Sequence, residues 1–415
     1  MHLITGITSL LEFFCEPCDF PNAILGLRQY VRILKEVSIT IERLSKEERL
    51  VILLSGPSLE GDFTDLYEDL LNGINWNLLL RFSDIARTSP VVYKNLRSLE
   101  GIPEDVKESL RLRYIASLSH NLCLKEEIRR IIDSLRDRGI EAIPLKGPVA
   151  SEHIFGDIAL YTSSDIDILV RPQDLSETKR ILMDSGYRQV SGFYEDDYIR
   201  TGYHLPPYTK NGFYLEVHWN LTMRYFDTPP DFWWEDVEMV DLDGDRYLML
   251  SPERYLLYGI FRLFSHAFYP LKFDFFVAGL ISFYQDRIDQ ELLLSYSRRF
   301  GMERLVRFTL SLMRDLFGSR VFLSNEKEGI VSRRIKGMII RGLFDEEPVL
   351  TRRMIVYASL QDSLMRYLFT ILERLFPDSH EIRSRYGLEP GSKRVILYYL
   401  LNPFYLLSGR FRRSP

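Results

Sequence analysis

Asp165 and Asp167, separated by one residue, stand in the run Ser163-Ser164-Asp165-Ile166-Asp167-Ile168-Leu169-Val170. From Asp165 on the run is apolar apart from its aspartates, rich in β-branched residues and short, which predicts a buried strand. Side chains alternate across a strand, so Asp165, Asp167 and Leu169 share one face. Ile166, Ile168 and Val170 take the other and can join a core. Two carboxylates about 7 Å apart along a strand repel each other and are costly to dehydrate. A hard divalent cation such as Mg²⁺ or Mn²⁺ relieves both costs. The competing explanation is a sheet edge with two solvated aspartates.

A second strand supplies a third carboxylate. In Phe213–Leu221, Tyr214, Glu216, His218 and Asn220 fall on one side. Leu215, Val217, Trp219 and Leu221 fall on the other. This is the same polar-over-apolar pattern as the aspartate strand. His204–Thr209 precedes it across Lys210-Asn211-Gly212, and Asn-Gly between strand-like runs is a strong hairpin signal. Upstream, Ile140–Gly147 reads as a strand ending in Lys146-Gly147, with one or two helical turns at Pro148–Phe155. Gly147 before a helix start would let phosphate approach backbone N–H groups, and Lys146 could neutralise it. Such a Lys-Gly pair is also an ordinary turn. Asp174-Leu175-Ser176-Glu177 resembles a capping box opening a helix to Gly186, and Tyr187–Val190 begins another strand.

Three carboxylates on neighbouring strands suit metal-assisted phosphoryl chemistry: Asp165 and Asp167 as ligands, Glu216 as third ligand or base. Paired carboxylates also serve glycosidases, but Asp165 and Asp167 lie side by side rather than across a cleft.

Helical patterns flank this centre. Asn22–Leu44, Asn75–Ala86 and Val91–Leu96 carry apolar stripes. Pro103–Leu135 carries a longer one, with Leu110, Tyr114, Leu118 and Leu122 inward, a division near Cys123 and a stop at Gly139. Helices resume at Pro252-Glu253, at Leu292–Phe317 and at Met354–Phe376. His266 and Asp274 read as satisfied structural groups in aromatic surroundings. The pattern predicts an α+β protein: a small mixed-sheet palm at 139–250 between helical regions at 1–138 and 251–415.

The 415 residues are 46% hydrophobic and 27% charged, ordinary for a globular chain with a real core. A net charge of −5 argues against a broad nucleic-acid surface. Three cysteines form no disulfide framework and suit a cytoplasmic location. Cys15 and Cys18 have CxxC spacing but lack companion ligands, so two idle thiols are expected rather than zinc. No signal peptide or bilayer-spanning run is expected. The apolar tail Val395–Leu407, ending in Arg410, Arg412 and Arg413, reads as a docked helix, with a membrane-surface anchor as the lesser reading.

The set Leu145-Lys146-Gly147, the Asp165/Asp167 strand, Gly186-Tyr187, His204-Leu205-Pro206-Pro207 and Leu215-Glu216-Val217-His218-Trp219, with Ile74-Asn75-Trp76 ahead of it, resembles one family in content and order. It is the uncharacterised nucleotidyltransferase family of the polymerase-β-like superfamily, over roughly residues 70–290. The resemblance implies transfer of a nucleoside monophosphate from an NTP, with ATP the expected nucleotide and a divalent metal as cofactor. The acceptor would be a small molecule, peptide or protein. It implies Asp165, Asp167 and Glu216 as metal ligands, with Lys146, Gly147, Ser163 and Ser164 at the phosphates. His204 and His218 are candidate substrate contacts. Two departures stand out. Gly147 lies further ahead of the first aspartate than the superfamily's Gly-Ser turn, and Tyr161 stands where an arginine is frequent. They motivate the alternative of a nucleotide-binding or regulatory module without turnover.

Overall fold

A computed structural model describes residues 44–57, 70–190, 203–223, 226–319, 329–346 and, with gaps, 350–407. The helix expected at Asn22–Leu44 and the cysteines Cys15 and Cys18 lie outside the described residues, Leu44 excepted. Thirteen helices, a five-stranded mixed sheet and a separate two-stranded sheet make up the described residues. The fold is α+β, with a nucleotidyltransferase palm flanked by helices on both sides in sequence.

The larger sheet contains β1 (Ile143–Pro144), β2 (Ile166–Leu169), β3 (Arg188–Gln189), β4 (Tyr208–Lys210) and β5 (Phe213–His218). Its order is β1-β2-β5-β4-β3. Only β2 and β5 are parallel, with Asp167 opposite Glu216 and Leu169 opposite His218. The turn between β4 and β5 shows why Asn-Gly stands there. Asn211 (φ 50°) and Gly212 (φ 85°) both have positive φ, as a tight hairpin turn closed by Lys210 and Phe213 requires. The smaller sheet pairs β6 (Glu238–Leu242) with β7 (Asp245–Met249) around Asp243-Gly244.

Ahead of the palm lie α1 (Lys46–Leu54), α2 (Trp76–Ala86), α3 (Ser89–Leu96) and α4 (Glu104–Arg136). The expected break near Cys123 is absent: α4 runs unbroken for 33 residues. No glycine or proline interrupts it, so nothing removes a backbone hydrogen bond there. Its inner face also differs from expectation. Leu122 is exposed, and Ser117 and Asn121 are buried in place of the aliphatic stripe. The Ser117 hydroxyl and the Asn121 amide N–H groups donate to the loop before β2, while Asn121 Oδ1 has no partner among the described residues.

Within the palm come α5 (Pro148–Phe155) and α6 (Leu175–Asp184). The capping box before α6 does not form; Asp174 makes no side-chain cap, and a 3-10 turn at Pro172–Asp174 leads in instead. After the palm follow α7 (Pro252–Ser265), α8 (Lys272–Phe283), α9 (Gln290–Arg299), α10 (Glu303–Phe317), α11 (Ile330–Arg341), α12 (Leu350–Ser359) and α13 (Val395–Leu407). The pair α7–α8 is almost wholly buried and sits against the palm. Tyr255 of α7 donates to the Leu145 carbonyl at 3.1 Å. Phe275 of α8 stacks on Phe155 at 4.3 Å. Gly279 permits this approach, because a Cβ there would fall 2.2 Å from the Phe155 ring. One apolar core runs continuously from α1 through the palm to α12.

Asp274 departs from the satisfied group expected of it. It is fully buried and neither carboxyl oxygen has a hydrogen-bond partner among the described residues. Burial pushes its pKa well above the usual carboxylate range, since it penalises the charged form. No helix among the described residues is long and apolar enough to cross a membrane. Helix α13 docks through Asn402, which donates to the Leu375 carbonyl at 2.8 Å, while Ile396, Leu400 and Phe404 stay exposed.

Candidate active site on the polar face of the parallel strand pair

The parallel register brings the polar faces of β2 and β5 together. Leu215 and Val217 are fully buried beneath them. Above, His218 Nε2 lies 2.9 Å from Asp167 Oδ1 and 3.6 Å from Glu216 Oε2. Donor atoms of Asp167, Glu216 and His218 all fall within 4.8 Å of one another. That spacing, with two carboxylates and an imidazole, fits a divalent cation. Asp165 lies beside this triad, ahead of β2.

Lys146 has a place that its sequence position did not reveal. Its ammonium does not point away to a separate phosphate turn. Nζ lies 2.9 Å from Asp165 Oδ2 and 2.7 Å from Asp167 Oδ2, with only 7% of the side chain exposed. It thereby supplies the positive charge that the aspartates need to coexist. Burial pushes the Lys146 pKa down, since it penalises the charged form. Burial also raises Asp165, but the charge and hydrogen bonds of Lys146 outweigh it and the net shift is downward. Glu216 shows the same contest. Burial opposes its ionisation, while the hydrogen bond of His218 and the charges of His204, His218 and Lys146 hold it below the usual carboxylate range.

The turn before β2 is built by long-range contacts. Ser163 Oγ donates to the Asp165 carbonyl at 2.8 Å, and Ser164 Oγ to Asp165 Oδ1 at 3.2 Å. Gly147, distant in sequence, closes on the same turn. It has φ 77° and caps α5, and a Cβ there would lie 3.3 Å from Ser163 Cβ. Its conformation is one that glycine adopts without strain. From the other side, α4 braces the turn. Ser117 donates to the Ala159 carbonyl at 2.7 Å, Asn121 to Tyr161 at 3.0 Å, and His120 Nε2 lies 2.9 Å from the Ser163 carbonyl. Sequence reasoning missed these three residues. Their spacing of three and four in an otherwise amphipathic helix was the available signal.

His204 packs on His218 with ring centroids 5.1 Å apart, and Tyr203 stacks on His218 at 5.8 Å. Burial, helped by the neighbouring His218, pushes His204 down to about 4, so it is neutral at pH 7. The structure therefore gathers Lys146, Asp165, Asp167, Glu216, His204 and His218 at one place, with Gly147, Ser163 and Ser164 on the adjoining turn. Tyr161 is buried below that turn, and the Lys272 ammonium lies 5.4 Å above its ring. A cation thus reaches the spot from α8 rather than from position 161.

Comparison with curated proteins and with solved structures finds no match. The family described as uncharacterised nucleotidyltransferase matches residues 72–318, which include the whole palm, its carboxylates and helices α2 to α10. With more than half of its length matched, the chain belongs to that nucleotidyltransferase family.

Proposed function

We propose that the protein is a metal-dependent enzyme that transfers a nucleoside monophosphate from an NTP, with ATP the expected donor, to a small-molecule, peptide or protein acceptor. The observation that carries this reading is the facing of Asp167 and Glu216 across parallel strands, with His218 and Asp165 alongside. Asp165, Asp167 and Glu216 would hold Mg²⁺ or Mn²⁺, with His218 able to complete or orient the set. Such a cation, when bound, withdraws charge from the reacting phosphate and lowers the pKa of a bound hydroxyl.

The chain's own residues then divide the work. Ser163, Ser164 and the backbone at Gly147 receive phosphate oxygens at the start of α5. The acceptor oxygen attacks the α-phosphorus, the bond from that phosphorus to the bridging oxygen breaks, and pyrophosphate leaves. Glu216, ionised well below neutral pH, would serve as the third ligand, and the acceptor proton would pass to solvent water. Lys146, which pairs with Asp165 and Asp167, would be free to pair with phosphate where a cation takes over that charge. In this reading the palm at 139–250 works between the helical regions.

The test is pyrophosphate release from ATP with Mn²⁺, alongside the nucleotide's effect on melting temperature. Release should be present in the natural protein and absent in Asp165→Ala and Asp167→Ala, and in these variants Mn²⁺ should no longer enlarge the nucleotide's effect on melting. A second reading, nucleotide binding without turnover, draws on the ion pairs by which Lys146 already neutralises both aspartates. It predicts the thermal shift without pyrophosphate.

A further inference from the structure

The helical pair α7–α8 carries two cations, Arg262 and Lys272, besides the Arg254 that pairs with Glu235 and Asp236. Among the described residues, neither Arg262 nor Lys272 lies in an ion pair with an aspartate or glutamate. Arg262 Nε is buried and has no hydrogen-bond partner among the described residues. Lys272, with about 7% of its surface exposed, donates to the Thr162 carbonyl at 3.1 Å. That carbonyl adjoins Ser163 and Ser164, so the ammonium sits at the edge of the turn that closes on Gly147. The charge of Arg262 acts on Lys146, Asp165, His204 and His218, and the charge of Glu216 acts on Arg262. Burying a cation without an anion is costly, and both Lys272 and the Nε of Arg262 are withdrawn from solvent.

We propose that Arg262 and Lys272 bind the polyphosphate of the nucleotide, so that the donor lies between the palm carboxylates and the C-terminal helices. This rests on the nucleotidyltransferase reading and deepens it by naming which residues take the charge. The charge count supports a polyanion. Lys146, Arg262 and Lys272 in its protonated form balance Asp165, Asp167 and Glu216. A divalent cation added on the carboxylates leaves an excess of positive charge, which a polyphosphate offsets. The arginine fork matches two phosphate oxygens at once, whereas the compact ammonium on the Thr162 side suits a single oxygen. The crowd of cations is felt beyond the pair. His266, stacked on Phe273 at 4.3 Å, is pushed down to about 2 by burial and by the charges of Arg262, Lys146, Lys272 and Arg353.

The experiment measures binding of ATP, inorganic triphosphate and adenosine to the full chain by calorimetry, in chelator without metal. The natural protein should bind ATP and triphosphate, more weakly as salt rises. Arg262→Gln and Lys272→Gln should each weaken both at least tenfold and leave adenosine unchanged. Without ligand, Lys272→Gln should melt at or above the natural protein's temperature, since burial disfavours its charge; a purely structural role predicts a lower one. Asp167→Asn serves as the control, retaining metal-free triphosphate binding while losing the response to Mn²⁺. Variants that bind ATP and triphosphate as the natural protein does would overturn this assignment and leave the transferase reading standing. A Lys272→Gln variant that melts well below the natural protein would overturn it too. Failure of the natural protein to bind ATP, with or without Mn²⁺, would overturn both.

Discussion

Asp167 and Glu216 face each other across parallel strands, and His218, two residues after Glu216, reaches back to bond Asp167 at 2.9 Å. A carboxylate pair held this way is fixed by backbone hydrogen bonds rather than by loops. The spacing of the donor atoms is therefore set before any cation arrives.

Lys146 and a divalent ion compete for the same carboxylates. Lys146→Met leaves Asp165 and Asp167 facing each other, largely buried, and should cost about 3 kcal/mol of stability in metal-free buffer. Mn²⁺ should then raise the melting temperature of the variant more than that of the natural protein. An equal Mn²⁺ response in the two proteins would separate the metal from these aspartates.

Gly147→Ala should weaken nucleotide binding and stability together. The residue has φ 77° and ψ −146°, a region almost confined to glycine, so alanine costs about 2 kcal/mol. Its Cβ would also press on Ser163 at 3.3 Å, moving the turn that carries Ser164 and Asp165. Chemical denaturation and nucleotide titration of the same variant check both effects. Unchanged affinity would detach the turn from the phosphates.

His204 makes stability depend on pH on the acid side. Its folded pKa of about 4 lies below the ordinary value of 6.5. The unfolded chain therefore binds more protons between those values, and stability falls as pH drops from about 6.5 toward 4. The full effect is about 3 kcal/mol. His218 and His266 act in the same direction, while the raised carboxyl of Asp274 opposes them. The comparison that isolates His204 is the difference between the natural protein and His204→Asn. That difference should shrink across the window, and a constant difference would contradict the shift.

Lys272 should couple nucleotide binding to proton uptake. Burial, with the charges of Lys146, Arg87 and Arg262, pushes its pKa down to about 7, against the attraction of Asp165. A polyphosphate beside it favours the charged form. At pH 8, calorimetry in buffers of different ionisation enthalpy should find uptake of about one proton per ATP. Lys272→Met should abolish it, and uptake that persists in the variant would assign the proton elsewhere.

The strands were legible because alternation on a half-buried sheet leaves a period of two in the sequence. The alternation around Asp167, the alternation around Glu216 and the Asn211-Gly212 turn all carry that signal. The parallel pairing of β2 with β5 was not legible, since about 45 residues separate Leu169 from Phe213 and no local rule fixes that register. The β6–β7 hairpin could have been found from Asp243-Gly244, which carries the turn chemistry that was recognised at Asn211-Gly212. The continuity of α4 was obscured because Ser117 and Asn121 interrupt its apolar stripe, and their bonds to the loop before β2 exist only in the folded chain. Lys146, Arg262 and Lys272 belong to the same class. A basic residue in a sequence does not declare which distant carboxylate or phosphate it serves.

The central claim is that Asp167 and Glu216 bind a cation that brings an NTP to reaction. The most direct measurement is Mn²⁺-dependent pyrophosphate release from ATP, compared between the natural protein and Asp167→Asn, with melting curves recorded for both. The account predicts release and a thermal shift with ATP that Mn²⁺ enlarges in the natural protein, and neither release nor the Mn²⁺ enlargement in a folded Asp167→Asn. Release that survives in Asp167→Asn, or a natural protein whose melting does not respond to ATP and Mn²⁺ together, would contradict it.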